Sequence, residues 1–167
     1  MNVIKKIFLI VFLSFSISVL AQQEKFKAVL IFNFTKYIEW SPEEKQGNFI
    51  IAVVGSQEMV KHLEIIASKM KVGNQPIEVK YYNSFAEIGK CHLVYISPYK
   101  SNEVNSQLNK NSKSLLIVTD KNGMIQQGSG INFFSKNGEV KFEISKNNIE
   151  KNGLKINPAL LLLGKSS

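Results

Sequence analysis

The chain has 167 residues, 44% hydrophobic and 20% charged, a balance that allows one globular domain with a substantial core and excludes a disordered or fibrous protein. Its 21 basic residues are all lysine, set against 13 acids for a formal charge of +8. The lysines are scattered, without arginine forks or a recognisable nucleic-acid module, so they read as a solvated surface and nucleic acid is not expected as a partner. The single cysteine, Cys91, has no mate for an internal disulfide.

Lys5 and Lys6 precede an apolar run from Ile7 to Leu20 broken only by serines, and Val19-Leu20-Ala21 supplies the residues a signal peptidase reads. The run is shorter than the roughly 20 apolar residues of a membrane-spanning helix. Residues 1–21 are therefore expected to be a signal peptide cut near Ala21, and residues 22–167 a single α/β domain outside the cytoplasm. No cysteine stands directly after the cut to carry a lipid anchor, so a lipoprotein is not expected.

The segment Gln23–Trp40 spaces Phe26, Val29, Leu30, Phe34, Tyr37 and Ile38 as on one helix face, and Ser41-Pro42 is expected to end that helix. Asn48–Val54 is a β-branched run without alternation, the pattern of a strand covered on both sides. Gly55-Ser56 turns the chain into a helix striped by Val60, Leu63, Ala67 and Met70, with Gly73-Asn74 expected to close it. Strand-like Ile77–Tyr82 follows, then a short turn or helix at Ser84–Gly89 and a strand at His92–Ser97. A polar helix at Ser101–Lys110 and a strand at Leu115–Thr119 complete the alternation. This order predicts an α/β fold with a mixed, largely parallel sheet and helices on both faces. Lys136-Asn137-Gly138 between two apolar runs predicts a C-terminal antiparallel hairpin, Ile131–Ser135 with Glu139–Ile144. Ser145 is placed to cap a short helix, and Asn157-Pro158 to open a last one, Ala159–Leu163.

Chemistry-bearing motifs are sparse. The Gly55 turn lacks the glycines and lysine of a phosphate cradle. Cys91, His92 and His62 are too few for a metal site, and Cys91 and His92, being neighbours on a strand, point to opposite faces. No activated-serine motif is present. Asp120, the only aspartate, stands at the carboxyl end of a predicted strand, where open α/β sheets gather ligand groups; Gly128 and Gly130 follow in the same loop. A turn cap is the simpler role for that carboxylate, and a ligand cleft at Asp120, Gly128 and Gly130 is the alternative. Phe133 and Phe134 are strand neighbours, so they face opposite sides and one of them is open either to a covering helix or to a partner.

Several strings occur together in one order: KAVLIFNFTKYIEW (27–40), FIIAVVG (49–55), CHLVYIS (91–97), LLIVTD (115–120), GSGINFF (128–134), VKFEI (140–144) and GLKI (153–156). In that order and spacing the chain resembles the YfiR-like family over nearly all of residues 22–167. The resemblance implies a non-enzymatic periplasmic regulator, without catalytic residues, cofactor or metal. Such a protein binds and restrains the extracytoplasmic domain of a membrane signalling protein, a diguanylate cyclase or a histidine kinase. It further implies sequestration by a peptidoglycan-binding outer-membrane lipoprotein and a homodimer. Carried over by position, the family's interaction surface falls on Phe133, Glu143 and Ile149. The chain departs from the best-known member in lacking its two intramolecular disulfides, which leaves only an intermolecular bond open to Cys91. A small-ligand-binding protein or enzyme using the cleft near Asp120 is the competing reading.

Overall fold

The computed structural model describes residues 22–102 and 113–166. The expected signal peptide and most of the expected Ser101–Lys110 helix lie outside the described residues. No helix among the described residues is long and apolar enough to cross a membrane.

A first helix, α1, covers residues 22–34, and β1 (Ile38–Glu39) follows after one turn. The helix thus ends earlier than its apolar spacing suggests. The Thr35 hydroxyl donates to the Phe32 carbonyl at 2.6 Å, and Ile38 and Glu39 leave the helix to pair antiparallel with β9 (Lys155–Ile156). Here a long-range strand pair overrides local helical periodicity. The buried face is also rotated from the expected one: Ala28, Ile31 and Phe34 are fully buried, whereas Phe26 is 49% exposed.

Next come β2 (Phe49–Val54), α2 (Gln57–Ala67), β3 (Lys71–Val72), β4 (Gln75–Tyr82), β5 (Leu93–Ile96) and β6 (Leu116–Thr119). Ser56 caps α2 by accepting from the Met59 amide, as expected. Gly73-Asn74 does not close α2, which stops at Ala67; it turns the β3–β4 hairpin. The chain ends through β7 (Ile131–Lys136), β8 (Glu139–Ile144), α3 (Lys146–Lys151), β9, α4 (Pro158–Leu161) and β10 (Lys165–Ser166). Asn137 and Gly138 hold φ of 54° and 80° at the β7–β8 turn, the paired left-handed geometry of a two-residue hairpin. Ser145 and Asn157 cap α3 and α4.

The main sheet has the order β10-β8-β7-β6-β5-β2-β4-β3. β4, β2, β5, β6 and β7 run parallel, and β8 turns back antiparallel. This is the mixed, largely parallel α/β sheet with a C-terminal hairpin that the alternation predicts. Strand alternation splits the interior in two. Ile51, Val53, Leu93, Tyr95 and Phe133 join α1, α2 and α3 in one cluster. Ala52, Val54, Val94, Ile96 and Met124 form a second, which Phe85 of the 3-10 turn Phe85–Glu87 packs against. The last turn only half docks: Leu160 is buried, while Leu162 and Leu163 are 87% and 61% exposed.

Candidate functional site

Asp120 follows β6 at the carboxyl end of the parallel strands. Its Oδ2 accepts from Lys27 Nζ at 2.5 Å and from the Tyr95 hydroxyl at 3.0 Å, and Lys27 also reaches Glu24 Oε1 at 3.0 Å. Lys27 and Asp120 have side chains only 11% and 10% exposed. Burial pulls the Lys27 pKa down, but the hydrogen bonds and charges of Asp120 and Glu24 outweigh it and hold the ammonium above its ordinary range. Burial, then the charges of Asp120 and Glu24, push Tyr95 well up, so its hydroxyl stays a donor. The carboxylate is therefore spent on anchoring α1 to the sheet, and it is neither a turn cap nor an open ligand group in this structure. Sequence spacing alone shows only the Glu24–Lys27 pair, one turn apart; nothing local ties Lys27 to Asp120.

The two glycines of the same loop have structural work as well. Gly128 holds a φ of +105°. At Gly130 a Cβ would lie 2.8 Å from Ile149 Cγ1 and 3.3 Å from Leu116 Cδ1, so only glycine lets α3 approach β6 this closely. Met124 and Ile125 are buried under the loop, and Asn148 of α3 donates to the carbonyls of Ile125 and Ser129 at 2.8 Å each. Gly130→Ala is accordingly expected to lower the denaturant midpoint by the equivalent of about 1–3 kcal/mol, the cost of overpacking, and to cost less in an Ile149→Ala background, where the Cγ1 atom that the new methyl meets is gone. An unchanged midpoint would count against this close packing.

Phe133 and Ile149, placed by resemblance on an interaction surface, are 0% and 1% exposed. Phe133 lies 5.9 Å, centroid to centroid, from Phe34 of α1, and Ile149 packs on Gly130. Neither side chain is therefore exposed for direct contact with a partner in this structure. The open member of the Phe pair is Phe134, half-buried on the opposite side. Glu143 is half-buried and accepts from Asn132 Nδ2 at 2.9 Å. Asn132 itself is fully buried, and its Oδ1 accepts from the Thr119 hydroxyl at 2.8 Å and the Lys121 amide at 3.2 Å. This polar chain across three strands went unread in the sequence, where Asn132 is one residue in an apolar run.

Cys91 and His92 are structurally committed. Burial pushes the Cys91 thiol up to about 12, so it is a protonated small hydrophobe at neutral pH and a poor nucleophile. His92 Nδ1 accepts from the Ile50 amide at 3.0 Å, which assigns the proton to Nε2, 2.9 Å from the Glu44 carbonyl. Its ring stacks on Phe49 at 4.6 Å. Among the described residues no group of three or more His, Cys, Asp or Glu is placed to hold a metal ion.

What the surface offers instead is apolar. A groove of about 510 Å³ runs between α1, β8 and the tail, with Phe26, Leu30, Phe134, Phe142 and Leu163 in its walls. Lys136, Lys141 and Lys165 complete it, and no carboxylate lines it.

Asp120, Asn132 and His92 are thus hydrogen-bonded internally, and the groove at the surface of this α/β scaffold is apolar with a lysine rim. The chain belongs to the YfiR/HmsC-like family, which it matches over residues 24–165. That family is one of periplasmic, non-catalytic regulators of diguanylate cyclases. No curated protein matches the chain.

Proposed function

We propose that this chain is exported to the periplasm, cut near Ala21, and works there as a single domain that binds the extracytoplasmic domain of a membrane signalling protein and holds it inactive. The membership of residues 24–165 in a family of cyclase regulators carries this reading. The commitment of Asp120 and His92 to internal bonds and the burial of the Cys91 thiol support it, because an enzyme needs a free acid, base or nucleophile. The same bonds weigh against a ligand cleft at Asp120, Gly128 and Gly130. A diguanylate cyclase is the preferred partner over a histidine kinase, since the family's regulation is of cyclases. Sequestration by a peptidoglycan-binding lipoprotein and homodimerisation belong to the same reading.

The test is cellular. Deleting the coding sequence in its native host is expected to raise cyclic di-GMP several-fold, and restoring the exported chain to lower it again. Unchanged cyclic di-GMP in both strains would refute cyclase control.

A further inference from the structure

The geometry points to the unpaired stretch of β8, with the groove beside it, as the docking site for an extended segment of a partner protein in which apolar and acidic residues alternate. This deepens the regulator reading and rests on it for the partner being a protein.

Three observations meet here. First, β8 pairs with β7 along all six residues, but β10 covers its other edge only at Glu143 and Ile144. Among the described residues Glu139–Phe142 therefore have a strand neighbour on one side alone, and an open edge is a template for an added strand. Second, the groove beside that stretch presents Phe26 and Leu163, 49% and 61% exposed. Alternate side chains of an added strand would point into it and away from it. Third, the groove lining carries lysines and no carboxylate, while Glu139 of the open stretch is already paired. Lys136 and Lys165 have no carboxylate partner among the described residues, and Lys141 has only Glu139 at 2.7 Å.

Those lysines choose among occupants. A second copy across a two-fold axis would bring lysine against lysine. A bilayer would satisfy the charge, but it offers no backbone groups to an open strand edge. A strand carrying carboxylates between apolar anchors satisfies edge, groove and charge together.

The experiment uses the exported chain and two fluorescein-labelled peptides of about ten residues, one alternating Val and Glu, the other Val and Lys. The acidic peptide is expected to raise anisotropy saturably, with the basic one at least about tenfold weaker. Phe26→Asp and the Lys136→Glu/Lys165→Glu pair should each weaken the acidic peptide about tenfold, roughly one decade of affinity per well-placed contact. Both changes are at exposed positions, so the fold should survive. Hydrogen exchange should slow at residues 139–142 on binding. Equal or absent binding of the two peptides overturns the proposal, as does protection confined to another strand. Binding to phosphatidylglycerol vesicles but not to the peptide overturns it too, as does a dimer that Phe26→Asp dissociates and the peptide cannot. If Phe26→Asp abolishes peptide binding yet restores normal cyclic di-GMP in the deletion strain, the groove is not the docking site while the regulator reading survives. If the peptide binds as expected but deletion leaves cyclic di-GMP unchanged, the regulator reading alone falls.

Discussion

Asp120→Asn is expected to cost about 3 kcal/mol of stability, at the low end for breaking a buried ion pair, and so to lower Tm by roughly 6–12 °C in a domain of this size. The substitution keeps the shape of the side chain and removes its charge. Lys27 is then left in a nearly closed site with only Glu24, the more exposed of its two carboxylates, and Tyr95 loses a charged acceptor. The figure sits at the low end because about a tenth of each paired side chain still reaches water. The same network sets an alkaline limit. Lys27 and Tyr95 both bind their protons more tightly when folded, so their contribution is complete below the unfolded values near about 10 and is lost as pH rises through the higher folded ones. The urea midpoint of the wild type should hold steady up to about pH 9.5 and fall beyond it, and Asp120→Asn should flatten that fall. Equal midpoints for the two proteins at neutral pH would dismiss the ion pair as a clamp.

Phe133→Ala is expected to cost about 3–5 kcal/mol, the range for emptying a buried aromatic site. Phe133 has no exposed surface and faces Phe34 across the interface between α1 and the hairpin; Phe142, its partner in the β7–β8 register, meets the same Phe34 ring at 5.0 Å, edge-on. Removing the ring therefore loosens the seat of α1, which forms one wall of the groove. Any loss of partner binding in Phe133→Ala should track the unfolded fraction and recover on cooling or with stabilising osmolyte. Phe26→Ala, at a half-exposed position, should leave Tm nearly unchanged. A Phe133→Ala protein with wild-type Tm and no partner affinity would instead return Phe133 to the contact surface.

The sheet was legible because its strands announce themselves chemically. NFIIAVV, HLVYIS and LLIVT are β-branched or apolar runs without alternation, as strands covered on both sides must be, and Asn137-Gly138 is a turn that few other pairs can make. The caps at Ser56, Ser145 and Asn157 were equally local and equally readable. Failures fell where the deciding partner is distant in sequence. Ile38 and Glu39 continue a helical pattern until β9 claims them. Lys27 is one of the scattered lysines that read as a solvated surface until Asp120 draws it in. Phe133 and Phe134 were known to face opposite ways, but only the position of α1 decides which is inside. Gly130 looked like freedom for a ligand loop, and its reason is Ile149 in the following helix. The groove was least visible of all, since it depends on β10 being too short to cover β8.

The central claim is that this domain acts by binding, and a calorimetric titration of residues 22–167 into the purified extracytoplasmic domain of the cyclase proposed as its partner tests it most directly. The account predicts saturable one-site binding that the Lys136→Glu/Lys165→Glu pair weakens about tenfold and that Asp120→Asn, kept below its melting temperature, leaves intact. No heat of binding at any accessible concentration, or affinity indifferent to the groove lysines but abolished by Asp120→Asn while folded, would contradict it.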